Sequence, residues 1–298
     1  MWTAIRLLSL LALLTFVGCA VLPSDPLFAW TGEEELLGQV RGLLQLAGNL
    51  LRPQPRTARY VPVAHAGVNP FGINVFLEQE VEPAKRERAV QMIAEAGFQW
   101  IRQEFPWEDI EIHGKGDFMD RRNDLDGDGR PDAVDAWAKY DQIVDLADRY
   151  GLEIIARLSN PPAWSRADGD ARGPYAPPDD FEDFGDYVYA VVSRYQGRIR
   201  YYQVWNEPNI YPEWGEEPVD PEAYARLLCL AYRRAREADP GAIIVSGALA
   251  QTVSFNPGPG PGTGLSDLVF LQRMYDAGAA DCFDILAVND YMLWSGPT

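Results

Sequence analysis

Val204-Trp205-Asn206-Glu207-Pro208-Asn209 carries the clearest chemistry in the chain: a carboxylate with an amide donor just before it and a proline just behind. An acid held among apolar neighbours such as Trp205 and Pro208, with a second carboxylate near, keeps its proton closer to neutrality than a free glutamate does. General acid/base work requires that. The competing reading is a surface Asn-Glu-Pro turn. A second pattern places Asp124, Asp126, Asp128, Asp132 and Asp135 at positions 1, 3, 5, 9 and 12 of a twelve-residue loop, with Gly129 at position 6. Hard oxygen donors at that spacing predict a structural calcium site, although Asp135 replaces the usual Glu; an acidic surface turn is the alternative. Transition metals lack such support, because His65 and His113 are far apart and Cys229 and Cys282 do not have zinc-ligand spacing. No cofactor is expected for catalysis. The two cysteines read most simply as buried thiols, while a disulfide stays open and needs Cα atoms within about 7 Å.

From Pro70 onward, short apolar runs alternate with amphipathic stretches. Gly72–Leu77, Trp100–Phe105, Glu153–Leu158, Tyr201–Trp205, Ile243–Gly247 and Phe283–Val288 predict six strands. Helices are expected over Pro83–Ala96, Val134–Tyr150, Phe181–Tyr195, Pro221–Ala238 and Ser266–Ala277, several closed by a glycine such as Gly97 or Gly151. Strict alternation of this kind argues for an α/β protein with a parallel sheet. No glycine-rich turn follows the first strand, where Gly72-Ile73-Asn74 runs straight through, which disfavours a nucleotide fold. Polar and aromatic residues gather past the strand ends: Glu78, Glu104 with Trp107, Asn160 ahead of Trp164, Asn206 with Glu207, and Asn289-Asp290-Tyr291 ahead of Trp294. A (β/α)₈ TIM barrel puts its chemistry there. The expected fold is such a barrel, incomplete, with about six of eight βα units present.

The hexapeptide around Glu207 resembles the acid/base motif of the clan A retaining glycosidases. The resemblance continues through Trp100-Ile101-Arg102, Pro162-Ala163-Trp164 and Asp284-Ile285-Leu286-Ala287-Val288-Asn289-Asp290-Tyr291. It is nearest to the β-xylosidase and α-L-iduronidase family and to cellulase-like relatives, which often have His where this chain has Asn289. The resemblance implies cleavage of O-glycosidic bonds in poly- or oligosaccharides by retaining double displacement, with Glu207 as acid and then base and Asn206 holding the sugar 2-hydroxyl. Arg102 is implied to support the nucleophile and Tyr291 to hydrogen-bond it; a buried structural pair is the alternative. Asn160 is a further candidate for substrate contact. Trp107, Trp164, Trp205 and Trp294 are candidate sugar-stacking platforms, at least two of them expected to face the cleft, though each alone serves core packing equally well. The reaction needs a second carboxylate about 5–5.5 Å from the first. In the clan it closes the seventh strand, so it is expected beyond Thr298, and this chain is expected to be an inactive fragment on its own. A noncatalytic carbohydrate-binding surface lipoprotein on the same barrel is the alternative function.

Residues 1–19 read as an export signal, with Arg6 ahead of the apolar run Leu7–Val17 and Gly18-Cys19 behind it. Cys19 suits a bacterial lipoprotein site, so the chain is expected to be exported and to meet a membrane only through that signal or anchor; plain secretion is the other reading. Residues 20–69 form an amphipathic spacer and linker, helical from Thr31 to Leu51, and residues 70–298 the partial barrel. The spacer fits either a membrane-proximal helix or a cap beneath the barrel. The loop 256–262, alternating Pro and Gly, suits the cleft rim or a passive insertion. A carbohydrate is the expected partner. With 26 basic and 44 acidic residues, the net charge of −18 repels a phosphate backbone, which disfavours nucleic acid.

Overall fold

A computed structural model describes residues 26–31, 35–51 and 67–291. The export segment with Cys19, and Trp294, lie outside them. The chain divides into two compact units, Met1–Ala66 with Tyr291–Thr298, and Gly67–Asp290. In the first unit, α1 (Pro26–Thr31) packs on α2 (Leu36–Leu51). Gly42 permits that approach, since a Cβ there would lie 2.8 Å from the Cβ of Thr31. Of the span expected to be helical from Thr31 to Leu51, Leu36–Leu51 forms α2, with α1 lying ahead of it, and α2 exposes Leu37, Val40 and Leu44. Among the described residues no helix is long and apolar enough to cross a membrane.

The second unit is built on five parallel strands: β1 (Gly72–Val75), β2 (Trp100–Pro106), β5 (Glu153–Ser159), β6 (Tyr201–Val204) and β7 (Ile243–Val245). They pair in chain order, Ile101 opposite Ile154 and Ile155 opposite Tyr201. The helices α3 (Pro83–Glu95), α4 (Ala138–Tyr150), α5 (Phe181–Arg194), α6 (Pro221–Ala238) and α7 (Asp267–Asp276) alternate with them. A doubly wound sheet reverses its strand order at a switch point, whereas this one advances in a single direction. The fold is that of a TIM barrel, in part. Alternation along each strand sets the layers: Ile101 and Phe105 of β2, and Ile154, Ala156 and Leu158 of β5, are buried in the apolar core, while the alternate residues Arg102, Glu104 and Arg157 carry charge.

The sixth apolar run does not form the continuous strand expected. Ile285 bridges Val245, and β11 (Val288–Asn289) pairs in parallel with β8 (Leu249–Ala250). Ser246 spans the gap: its N–H donates to the Ile285 carbonyl at 2.9 Å and its Oγ accepts from Ala287 N–H at 3.0 Å. Gly247 follows because a Cβ would sit 2.9 Å from the Tyr224 hydroxyl and 3.1 Å from the Val204 carbonyl oxygen. The helix expected from Val134 also begins later, at Ala138, since β4 (Val134–Asp135) pairs antiparallel with β3 (Met119–Asp120) around the acidic loop. A second small hairpin, β9 (Phe255–Asn256) with β10 (Gly264–Leu265), brackets the Pro-Gly loop.

Cys229 in α6 and Cys282 after α7 form a disulfide, their Cα atoms 4.7 Å apart. The reading as two buried thiols is corrected: α6 and α7 pack side by side, which brings together positions 53 apart in sequence.

Candidate active site

The site is made where β6 stops. Trp205 donates its backbone N–H to the Leu158 carbonyl, extending the ladder by one residue, and then adopts a φ of 74°. A bulky side chain in the left-handed region costs about 1–3 kcal/mol and persists only when its surroundings hold it. Here the indole Nε1 donates to the Glu213 carbonyl at 2.6 Å, and the ring packs against Phe184 and Trp214. Asn209 fixes the far side of the turn. Fully buried, it donates from Nδ2 to the carbonyls of Ala250 and Leu265 and accepts the Ala250 N–H on Oδ1. Asn206 and Glu207 lie between these two anchors.

Arg102, on β2, crosses the sheet to reach them. Its Nη2 donates to Asn206 Oδ1 at 2.8 Å, its Nε to Gln203 Oε1 at 2.6 Å and its Nη1 to Asn74 Oδ1 at 3.1 Å. Gln203 in turn donates to the Ser246 carbonyl at 3.1 Å, so four strand regions orient one amide. Asn289 Nδ2 donates to Glu207 Oε1 at 2.9 Å. Beside them Arg157 pairs with Glu104, both largely buried, and the Ser159 hydroxyl donates to Glu104 at 3.3 Å. Burial pushes the Glu213 carboxyl above the usual carboxylate range, with Glu207 and Glu104 adding to the rise, while hydrogen bonding from Asn206 and the charge of Arg157 oppose it. Burial likewise raises Glu108, against a hydrogen bond from Asn160. The result is a cluster of acids with two guanidinium groups among them, a set of groups able to exchange protons and to hydrogen-bond hydroxyls.

Of the residues singled out from the sequence, Arg102, Asn206 and Glu207 come together. Asn160 follows the end of β5 with a φ of 57°, and its carbonyl accepts the Glu108 N–H at 2.9 Å. Two candidate platforms are corrected. Trp107 is 0% exposed, stacked on Tyr187 at 5.4 Å, and Trp205 is 2% exposed; both belong to the core, because their rings pack against Phe184 and Tyr187 of α5. Trp164 is half-buried and donates its indole N–H to the Glu111 carbonyl. Tyr291, the last described residue, is largely exposed. Sequence reasoning missed Arg157, Gln203 and Glu213. For the first two, the signal was available: polar residues at strand positions where alternation puts the side chain off the apolar face.

The acidic loop gathers three of its five expected ligands. Carboxylate oxygens of Asp124, Asp126 and Asp128 lie within 4.8 Å of one another, all exposed. Asp132 instead accepts the N–H groups of Leu125 and Asp126, and Asp135 accepts the Trp137 N–H ahead of α4. Neither is in the group that the other three carboxylates form, so the structure does not assemble the five-residue set expected from the spacing. Three hard oxygens with one acid each still fit calcium by donor type.

No family model matches the chain, and no curated protein does. Solved structures are similar. A family 39 glycoside hydrolase from the gut symbiont Bacteroides cellulosilyticus WH2 shares 21% identity and a TM-score of 0.51, over 74% of this chain and 38% of that one. A monomeric β-xylosidase from Caulobacter crescentus CB15 shares 18% identity and a TM-score of 0.50, over 74% of this chain and 41% of that one. The fold is therefore that of the TIM-barrel glycoside hydrolases. The chain spans about two-fifths of the length of these structures.

Proposed function

We propose that this chain is the larger part of the barrel of a retaining glycoside hydrolase acting on poly- or oligosaccharides. The observation that carries the proposal is the constellation at the end of β6: Glu207, held by Asn289, beside an Asn206 amide oriented by Arg102. In the first step Glu207 gives its proton to the glycosidic oxygen as the bond to the anomeric carbon breaks and a second carboxylate bonds to that carbon. In the second step Glu207 takes a proton from water, whose oxygen displaces the carboxylate and frees the sugar. Asn206 holds the neighbouring hydroxyl. The second carboxylate is proposed at the end of a seventh strand of the barrel, outside the described residues. The exposed apolar residues Phe71 and Ile73 at β1, and Ile285 and Val288 beyond β7, support two further βα units that would cover them.

The test is the completed protein beside its Glu207→Gln variant on a panel of aryl β-glycosides, a β-xyloside among them because one similar structure is a β-xylosidase. A loss of several orders of magnitude in kcat/KM is expected in the variant. A completed protein that binds the panel sugars but cleaves none would instead establish the noncatalytic reading. Calcium at Asp124, Asp126 and Asp128 is proposed as structural, steadying the loop between β3 and β4. Export with lipidation at Cys19 is proposed from the sequence and is supported by the disulfide, which persists in oxidising compartments; mass spectrometry of the mature N-terminus tests it.

A further inference from the structure

We propose that Tyr224 is a positioning residue for Glu207, its hydroxyl fixing the peptide from which the Asn206-Glu207 turn departs. This rests on the reading of Glu207 as the acid/base. Gln203 opposite Val245 is the last pair in the β6–β7 register. Just beyond it the Tyr224 hydroxyl, brought in by the start of α6, bridges the two lines of chain. It donates to the Val204 carbonyl at 2.9 Å and accepts the Gly247 N–H at 2.6 Å. Tyr224 is fully buried, so water does not stand in for either bond.

The Val204 carbonyl and the Trp205 N–H belong to one planar peptide unit. Leu158 on β5 holds the N–H end at 2.8 Å, and Tyr224 holds the carbonyl end. That plane cannot rotate, and the next residue, Trp205, takes the left-handed φ of 74° that starts the turn. The Tyr224 ring adds a second hold: it meets Trp214 edge-on at 6.0 Å, and Trp214 packs on the Trp205 indole at 5.2 Å. Phe270 of α7 backs the tyrosine at 5.9 Å. Strain at a bulky left-handed residue persists only while its surroundings over-determine it. Without the hydroxyl, a buried carbonyl and a buried N–H lose their partner, and rotation of the plane relieves both faults together. Glu207 stands two residues further on, so that rotation carries its carboxyl away from the glycosidic oxygen. A displacement of about 1 Å costs about a hundredfold in rate.

The test uses the completed protein and two aryl β-glycosides of the sugar it cleaves fastest, one releasing phenol and one releasing 2,4-dinitrophenol. Phenol needs a proton from Glu207 to leave, whereas dinitrophenolate departs without one. Tyr224→Phe is expected to lower kcat/KM about tenfold to a hundredfold on the phenyl glycoside and by less than about threefold on the dinitrophenyl one. Asp141→Asn, which loosens an ion pair between α4 and α5, is expected to treat the two substrates alike. Gly247→Ala disturbs the same bridge from the other side, since a Cβ there would lie 2.9 Å from the Tyr224 hydroxyl and 3.1 Å from the Val204 carbonyl oxygen. It is expected to show the selectivity of Tyr224→Phe and carries the test if that variant does not fold. Equal losses on the two substrates, no loss on either, or the same selectivity in Asp141→Asn would overturn the proposal. A crystal structure of Tyr224→Phe is the arm that needs no turnover: Trp205 is expected to leave the left-handed region and the Asn289–Glu207 hydrogen bond to break. Trp205 unmoved with that bond intact overturns the proposal, while an inactive wild type counts against the glycosidase reading alone.

Discussion

Replacing Cys229 and Cys282 together by serine cuts the covalent link between α6 and the turn after α7. The cysteines are 53 positions apart, with Cα atoms 4.7 Å from each other. Closing a loop of that length withholds about 14 cal/mol/K from the denatured chain, or about 4 kcal/mol at 25 °C. At about 2–4 °C per kcal/mol for a domain of this size, the double variant is expected to melt about 8–16 °C below wild type. The assay is thermal denaturation followed by far-UV circular dichroism, in oxidising buffer and again with dithiothreitol. Reduction should bring wild type down to the variant and leave the variant unmoved. The reasoning fails if oxidised wild type melts within about 2 °C of the variant. It fails equally if thiol titration of the unfolded, unreduced chain finds both sulfhydryls free.

Arg157→Met leaves the Glu104 charge buried without its partner and is expected to cost about 3–5 kcal/mol in urea denaturation, much of it recovered in Arg157→Met/Glu104→Gln. Asp141 accepts hydrogen bonds from Arg194 Nε at 2.8 Å and from the Tyr195 hydroxyl at 3.0 Å, and Arg194 above all holds its carboxyl below the ordinary value of 3.8. A carboxylate depressed in the folded state adds stability above its unfolded pKa and loses it as pH falls through the folded one. The gap in urea midpoint between wild type and Asp141→Asn is therefore expected at pH 7 and should shrink as pH falls below 3.8; a gap of constant size would count against the ion pair. Calcium at Asp124, Asp126 and Asp128 is expected to raise the melting temperature at millimolar concentration, as for extracellular sites with Kd of about 10⁻⁴–10⁻³ M. Asp126→Asn should abolish that rise, and an equal rise in the variant would remove the site.

Much of the barrel was legible because its signals are local. The five paired strands and the helices between them follow from apolar runs and helical periodicity, and α6 forms at Pro221–Ala238 as expected, with Asp220 accepting the Ala223 N–H at its start. Two places within the barrel where boundaries slipped are places where a neighbour competes. Val134-Asp135 reads as the start of a helix until Met119-Asp120 offers a strand partner. The sixth run reads as one strand until the Ser246–Ala248 break in the adjoining line splits its pairing in two.

The sequence alone singled out Asn206 and Glu207 as candidates, because an amide, a carboxylate and a proline at a strand terminus form a contiguous pattern. It could not decide which way an indole faces. Trp107 and Trp205 stand at strand ends like any platform, yet core packing claims both, and only tertiary contacts with Phe184 and Tyr187 settle that. The partners of the site were equally hidden. Arg102 reaches Asn206 across 104 positions and Asn289 reaches Glu207 across 82, while Cys229 meets Cys282 through the packing of α6 on α7. A hydrogen bond or disulfide depends on distances of a few ångströms, which a one-dimensional pattern does not contain and the closing of the sheet supplies.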